Sequence, residues 1–454
     1  MMKYIIVSIV FLWIAGVVEA QETLSISSAI QIGLENNFDI AIENKNIEIN
    51  ENNDTWGEAG KWPSITLNLG QNNSLTNNIK TASPFQLQGE ILNNSLNPAV
   101  NVNWTLFNGF KVRMSKDRLD QLVEESYGNA EIVVSNTIQA IILGYYRAVL
   151  EKERLHEFKM QLTFSKDKYE YVKIRSDLGS SGTSDRLLEE NNYLTDSIDF
   201  MNQELFYRQA LRNLNLILGE SDPDKEYEFT DKLSVDIPEY NIENLLSKME
   251  TDNVNLKKQY ISESIIKYET YIRKADRYPS VMFNGGYSLN TSRVDLSNAF
   301  FPQQDGTSRS GPVDPLSAVS STLFGNFTIA FTLFNGGKIN RAIQNSIVRE
   351  DIANLSTQKM KLYLRSDLKD AFDQFENRKL IYAIIERKQE VAMKNFEIVS
   401  EKFKSGTINS FDFRVVQNNY LMASMQRLSA LYNLLDAHVS LMRLTGGIIE
   451  TYNN

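Results

Sequence analysis

The sequence predicts a mixed fold in which long antiparallel α-helices are combined with transmembrane β-strands, and in which one structural unit occurs twice. Three observations favour this fold. The nine prolines of the 454-residue chain fall in three windows, which leaves residues 99–222 and 316–454 free of proline. Short motifs recur at a fixed separation, and segments that alternate between apolar and polar residues accompany both proline-free stretches.

The N-terminus indicates export. Lys3 is followed by an apolar stretch that ends at Val18, and Ala20 is the small residue that a signal peptidase needs. We therefore expect residues 1–20 to be a signal peptide. A retained membrane anchor is the alternative, but the stretch is short and the chain turns polar from Gln21. After residue 20 the sequence has no run of about 18 apolar residues, so no transmembrane helix is expected there.

The composition excludes several classes of function. The chain has 47 Lys and Arg residues against 57 Asp and Glu residues, a net charge of −10, and nucleic-acid binding is not expected because phosphate neutralisation needs a basic surface. It has no Cys and only two His, His156 and His438, so we expect no disulfide, no metal site and no cofactor. An enzyme is not expected either, since the adjacent carboxylates of Glu189 and Glu190 would not face each other on a helix.

The proline-free stretches predict long helices, because an interior proline breaks the helical hydrogen-bond ladder. In the first stretch Ile138, Ile141, Ile142 and Tyr145 follow the spacing of one helix face. A helix over residues 110–178 would be about 100 Å long. Such a helix must pack side by side with others, as in a bundle or helical barrel.

The duplication is the strongest signal in the chain. Thr105-Leu106-Phe107-Asn108-Gly109 recurs 227 positions later as Thr332-Leu333-Phe334-Asn335-Gly336, and residues 191–194 recur at the same separation. Pro63-Ser64 recurs 216 positions later, so the second copy carries 11 extra residues before Thr332. Several matches in register indicate two copies of one unit, which we assign to residues 21–240 and 241–454.

Each copy is predicted to contain one β-hairpin, at about residues 64–108 and 280–335, with polar loops around residues 76–97 and 293–322. Val100, Val102, Trp104 and Leu106 alternate with polar residues, and residues 327, 329, 331 and 333 repeat the pattern. This alternation is typical of an outer-membrane barrel strand. A soluble sheet packed on the helices is the alternative interpretation.

Four strands are too few to close a barrel, for which about eight are needed. Because unpaired strand edges are not tolerated in lipid, several chains would have to pool their strands. Two chains would supply eight strands and three chains twelve, and the physical argument alone leaves both open.

These residues resemble the TolC-type outer-membrane factor family, the channel-tunnels of tripartite efflux and type I secretion. The resemblance covers essentially the whole mature chain. It depends on the duplicated order of its motifs, which are Ala29 with Leu34-Glu35-Asn36-Asn37, Trp62-Pro63-Ser64, the twin Leu-Phe-Asn-Gly turns, and the helical tips Ser181-Gly182-Thr183 and Ser405-Gly406-Thr407.

The resemblance implies a homotrimer with a shared twelve-stranded β-barrel in outer-membrane lipid and a helical tunnel through the periplasm. It implies a passive exit duct that works with a periplasmic adaptor (membrane fusion) protein and, through it, with an inner-membrane pump of the RND or ABC type. It also implies an equatorial collar, with a linker at residues 220–240 and a short C-terminal tail. The exported substrate is not encoded in these features.

The resemblance further assigns the tips, near residues 179–184 and 405–410, to adaptor docking and to the pore constriction. Asp185 and Asp412 follow the two tips at an offset of 227, and they are candidates for pore-lining carboxylates or for helix N-caps. The family's closed-state latch often has a tyrosine, an arginine and an aspartate where this chain has Phe403, Ile408 and Val415.

The strand-to-helix turns at Asn108-Gly109 and Asn335-Gly336 are interpreted as structural, because glycine supplies the backbone freedom that the change of direction requires. For the whole chain, a secreted or periplasmic coiled-coil scaffold or adhesin without a pore remains the alternative. It would account for the helices but not for the duplicated hairpins.

Overall fold

The computed structural model describes residues 22–79, 87–234, 238–302 and 307–452. The expected signal peptide therefore lies outside the described residues. The helices are α1 (Ile26–Asn36), α2 (Phe38–Asn53), α3 (Lys111–Asp177), α4 (Thr183–Leu218), α5 (Ile242–Asp252), α6 (Val254–Ala275), α7 (Lys338–Lys404), α8 (Ser410–Leu444) and α9 (Gly447–Tyr452). The strands are β1 (Glu22–Leu24), β2 (Ser64–Asn78), β3 (Gln88–Asn108), β4 (Tyr227–Phe229), β5 (Ser280–Asp295), β6 (Ala299–Pro302), β7 (Ser308–Ser310) and β8 (Leu316–Ala330).

The duplication read from the sequence is present in the element bounds. Helices α3 and α7 both have 67 residues and start 227 positions apart, whereas α1 and α2 match α5 and α6 at an offset of 216. Gly219 and Gly446 both have positive φ, and a Cβ on either would come within 2.5 Å of a backbone oxygen, that of Asn36 or of Asp252. The same close packing therefore recurs in both copies.

The chain divides into two compact units. Unit 1 contains Met1–Ile47, Ser126–Tyr260 and Ser356–Asn454, and unit 2 contains Glu48–Glu125 and Ile261–Leu355. Unit 1 is helical apart from the short parallel pair of β1 and β4. Unit 2 contains the long strands.

The main core of unit 1 is formed by the apolar stripe of α3 that the spacing predicts. Ile138, Ile141, Ile142 and Tyr145 are all buried, and they pack with residues of α4, of α8 and of both chain ends. The Tyr145 hydroxyl lies 2.8 Å from the carbonyl oxygen of Leu24 and 3.0 Å from the carboxylate of Asp231. The described part of the predicted linker at residues 220–240 is thereby fixed to this core.

Helix α3 also contains an 18-residue window whose length and hydropathy would suit a membrane span, which the sequence reading did not anticipate. Half of this window is buried inside the protein. The apolar stripe that includes Ile138 and Ile141 belongs to the core of unit 1. Burial therefore accounts for the hydropathy of α3 without a lipid environment.

Unit 2 contains an antiparallel sheet whose four long strands lie in the order β2-β3-β5-β8, and the short strands β6 and β7 extend it beside β3. The pairs β2–β3 and β5–β8 are the two expected hairpins, and β3 joins them through β5.

The predicted loop bounds were wrong. The strands continue into the Asn- and Ser-rich segments because backbone pairing does not need apolar side chains. Strand β8 ends at Ala330, where its partner β5 begins with Ser280, so Phe331 and Leu333 lie beyond the ladder.

Candidate functional site

One face of the long-stranded sheet is apolar and exposed. The register aligns Ile65 with Val102, and it aligns Leu67 with Val100, Tyr287 and Leu323 in one row across all four strands. Directly paired residues lie on the same face of a sheet. Leu67 and Leu323 are 76% and 82% exposed. A water-soluble sheet would cover such a face, so this arrangement suits contact with lipid.

The opposite face of the sheet is polar and carries no charge along the paired rows. Asn103, Asn284 and Asn326 form one row with Ser64. The neighbouring row contains Thr66 and Asn101 and ends with Phe324 on β8. Amide and hydroxyl side chains can hydrogen-bond to water on this side. The alternation predicted for Val100 to Leu106 is therefore a property of the whole sheet, interrupted by a bulge between Thr105 and Phe107.

The strand-to-helix turns have the conformation expected of them. Gly109 and Gly336 have φ values of 69° and 67°, a left-handed region that favours glycine. The Asn108 side chain accepts a hydrogen bond from the backbone N–H of Val112, in the first turn of α3. The Asn335 carbonyl accepts a hydrogen bond from the N–H of Lys338 at the start of α7. These contacts support a structural role for the two turns.

The two tips end their long helices in the same way, and in the first tip the glycine with the left-handed conformation is Gly179 rather than Gly182 of the predicted tip motif. Gly179 and Gly406 have φ values of 75° and 74° and are 227 residues apart. In both, the following N–H reaches the carbonyl five residues back, in the Schellman arrangement. Gly182 instead has a φ of −71° and precedes α4, and a Cβ would fit there. It does not require glycine.

Side chains at the tips bond locally. The Ser181 hydroxyl lies 3.2 Å from the carboxylate of Asp185. In the second tip, Ser405 and Thr407 hydroxyls lie 3.1 Å apart, and both donate to the carbonyl of Lys402. Thr183 is the first residue of α4.

Asp185 and Asp412 are not N-caps, which corrects one of the two predicted roles. The N-caps are Gly182 and Asn409, and each aspartate lies three residues further on. The Asn409 amide donates to the Asp412 carboxylate, and its side-chain oxygen accepts from the Asp412 N–H. Both carboxylates are exposed in the first turn of a helix, where negative charge is favourable. The pore-lining role stays a prediction.

A buried polar network that the sequence analysis missed joins three helices near the tips. Arg414 of α8 makes a bidentate pair with Asp196 of α4, with N–O distances of 2.7 and 2.6 Å. Gln161 of α3 donates to Asp196 and accepts from Gln417. A comparison of the two repeats contains a signal for this pair. At offset 227 the positions equivalent to Arg414 and Asp196 hold the uncharged residues Leu187 and Ala423, so the repeat does not conserve either charge.

A separate buried ion pair, formed by Lys168 and Glu189, lies beside the start of α8. The Lys168 ammonium group lies 3.0 Å from the carboxylate of Glu189, with only 5% and 1% of the two side chains exposed. It also donates to the carbonyl of Ser410 and lies within about 5 Å of the rings of Phe403 and Phe413. Burial lowers the pKa of Lys168, and the charge of Glu189 opposes this effect. Phe403, where the family often has tyrosine, is thus part of the packing around a buried ammonium group.

The comparisons with known proteins agree with this architecture. Residues 245–447 match the family model described as outer membrane efflux protein. No curated protein matches the sequence significantly.

Among solved structures, the Campylobacter jejuni CmeC outer membrane channel has a TM-score of 0.71 at 15% identity, over 93% of this chain and 85% of that one. The Vibrio cholerae outer membrane protein VceC has a TM-score of 0.67 at 12% identity, over 93% and 96% of the two chains. The open state of the Neisseria gonorrhoeae MtrE outer membrane channel has a TM-score of 0.66 at 16% identity, over 93% and 89%.

The chain therefore has the fold of these outer-membrane channels, and residues 245–447 match the outer membrane efflux protein family. The resemblance to the outer membrane efflux protein family that the sequence motifs carry is thereby confirmed. The expected location in the outer membrane, with an extension into the periplasm, agrees with this family match and with these channels.

Proposed function

We propose that the protein is the passive exit duct of a tripartite efflux or type I secretion system, through which small molecules or proteins leave the periplasm. The observation that carries the proposal is the two-faced sheet, with an exposed apolar side and an uncharged polar side. An apolar face suits acyl chains and a polar face suits a wet lumen. No catalytic step is part of this function.

The edges of the sheet support assembly with further copies. Among the described residues, β2 pairs with β3 and β8 pairs with β5, which leaves one long edge of each outer strand without a partner strand. Each edge is 15 residues long. Unpaired backbone groups in lipid cost several kcal/mol each by general estimates, so a second copy is the natural partner of each edge. We propose a homotrimer with a shared twelve-stranded barrel.

The tips are proposed to serve docking and gating. Ser181-Gly182-Thr183 and Ser405-Gly406-Thr407 would meet the periplasmic adaptor protein, and the adaptor would connect the duct to an inner-membrane pump. Asp185 and Asp412, which are exposed at the start of α4 and α8, would form the constriction. Carboxylates repeated around an axis favour cations.

The test is conductance together with oligomeric state. In cell fractionation the protein should remain with the detergent-insoluble outer-membrane fraction. After purification it should migrate as a heat-sensitive trimer and open ion channels in planar bilayers. The coiled-coil scaffold or adhesin predicts membrane-independent protein with no conductance. A soluble monomer after signal cleavage would refute the duct.

A further inference from the structure

A cavity of about 460 Å³ lies between α3, α6 and α7, within unit 2. Its volume is in the range of small-molecule binding sites. One carboxylate, that of Glu269, lines the cavity together with four cationic side chains, those of Lys111, Arg118, Arg273 and Arg349. The whole chain has a net charge of −10. The excess of positive charge in this cavity therefore runs against the charge of the protein and favours an anionic ligand.

Two of the four cations have a carboxylate partner, and one of these two still has an unpaired donor. The Lys111 ammonium group lies 3.2 Å from Asp276, and the Arg118 guanidinium group lies 3.6 Å from Glu269. The Nε of Arg118 is buried, yet it has no hydrogen-bond partner among the described residues. A buried donor without a partner is costly, so a ligand oxygen that accepted a hydrogen bond from it would be stabilised.

The other two cations are not neutralised. Arg273 and Arg349 are exposed, and neither guanidinium group forms an ion pair within the part of the chain that the structure describes. A guanidinium group can bind a phosphate group through two parallel N–H···O bonds. Two arginines from two different helices can therefore hold one phosphate group between them.

The helical framework does not require these charges. The offset of 227 carries Arg118 to Asn345, and it carries Arg349 back to Leu122. Both equivalent positions are uncharged, although α3 and α7 have the same length. The same helices therefore form without these cations, which favours a role in binding over a role in folding.

The cavity lies close to the membrane boundary of the proposed duct. Lys111 follows the last residue of β3 by three positions, and Arg273 precedes the first residue of β5 by seven. At 1.5 Å per helical residue, both lie within about 10 Å of the strands along the chain. The exposed aromatic side chains of Trp62 and Tyr278 lie next to the strand ends, and such residues are enriched at membrane–water interfaces. Lipid phosphate groups are present at this depth.

We propose that this cavity is an anion site that binds a phosphate group through Arg273 and Arg349, with a further hydrogen bond from the Nε of Arg118. The phosphate belongs to the headgroup of an anionic phospholipid or to inorganic phosphate, and the cavity recognises the chemistry that the two share. The lipid source rests on the proposed outer-membrane duct. The cavity itself is formed by three helices of one chain.

The test measures binding to the full-length protein purified in detergent, at an ionic strength of about 0.15 M so that long-range attraction is screened. Native mass spectrometry counts bound phosphatidylglycerol, with zwitterionic phosphatidylcholine as the comparison, and calorimetric titration measures binding of inorganic phosphate. Arg273→Gln combined with Arg349→Gln should weaken binding of phosphatidylglycerol, of phosphate or of both by about ten-fold or more, because charge-assisted hydrogen bonds are lost.

A matched control removes the same charge from the same two helices. Lys274 and Lys338 are exposed and lie outside the cavity lining. Lys274→Gln combined with Lys338→Gln should therefore change the affinity by less than about three-fold. In the opposite direction, Glu269→Gln removes the lining carboxylate and should tighten binding roughly two- to five-fold. A misfolded variant could not produce this gain.

The outcomes separate the site from the duct. Dependence of phosphatidylglycerol binding on the two arginines identifies a lipid headgroup, and dependence confined to inorganic phosphate identifies the soluble ion. If neither probe binds, or if both pairs of substitutions weaken binding equally, the anion site is overturned, and channels that still conduct leave the duct standing. Arginine-dependent binding by a protein that forms no channel would instead overturn the duct and leave the site.

Discussion

The orientation of the sheet can be tested with two neighbouring residues of β3. Val102 lies on the apolar face, paired with Ile65, whereas Asn103 lies on the polar face, paired with Asn284. We expect Val102→Arg to impair insertion and Asn103→Arg to be tolerated. The two variants share the added charge, the strand and nearly the same depth, so they differ chiefly in the face on which the arginine lies.

The magnitude follows from the depth of Val102. The apolar rows extend along β8 from Ile329 to Val319. Beyond Val319, Arg293 of β5 pairs with Ser317 of β8 and introduces the first charge on this face. Ten residues at about 3.3 Å each, tilted by about 40°, span about 25 Å, the height of a barrel's apolar band. Val102 lies in the middle third of this span. An arginine there should cost about 2–4 kcal/mol per chain, or roughly 30- to 700-fold in the folding equilibrium.

The measurement is reversible unfolding in lipid vesicles, read by urea titration together with the heat-sensitive trimer band. Val102→Arg should lower the unfolding free energy within the stated range, and Asn103→Arg should change it by less than about 1 kcal/mol. Equal effects from the two variants, or a larger effect from Asn103→Arg, would refute the assignment of the lipid face.

Three further predictions concern the helices. Gly406→Val should cost about 1–2 kcal/mol because the left-handed conformation disfavours a Cβ, whereas Gly182→Ala should leave the thermal midpoint nearly unchanged; equal losses would contradict the assignment of the Schellman glycine. Asp185→Asn with Asp412→Asn should lower cation selectivity and weaken block by polycations from the periplasmic side in single-channel recordings, and unchanged values would remove both residues from the pore. Asp196→Ala should cost about 3–5 kcal/mol in urea unfolding because it leaves a largely buried arginine without its partner, and a loss below about 1 kcal/mol would show that the network is dispensable.

Local pattern was sufficient for much of this fold. The absence of proline predicted the two long helices, since no proline in those stretches interrupts the helical hydrogen-bond ladder. The spacing of Ile138, Ile141 and Tyr145 identified a face that is buried in unit 1. The alternation around Val102 identified the two faces of β3, because side-chain direction in a strand has a period of two residues. The fixed offsets revealed the duplication, which recurs in the helix bounds.

Tertiary structure decided the rest. The strands extend into Asn- and Ser-rich segments because a partner strand is present there, and local hydropathy carries no record of that partner. Gly179 and Gly182 both precede a polar helix start, and only the backbone angles show which one is left-handed. The pair of Asp196 with Arg414 joins residues 218 positions apart. Such a contact is set by which helix faces meet, and sequence periodicity describes each face without naming its neighbour.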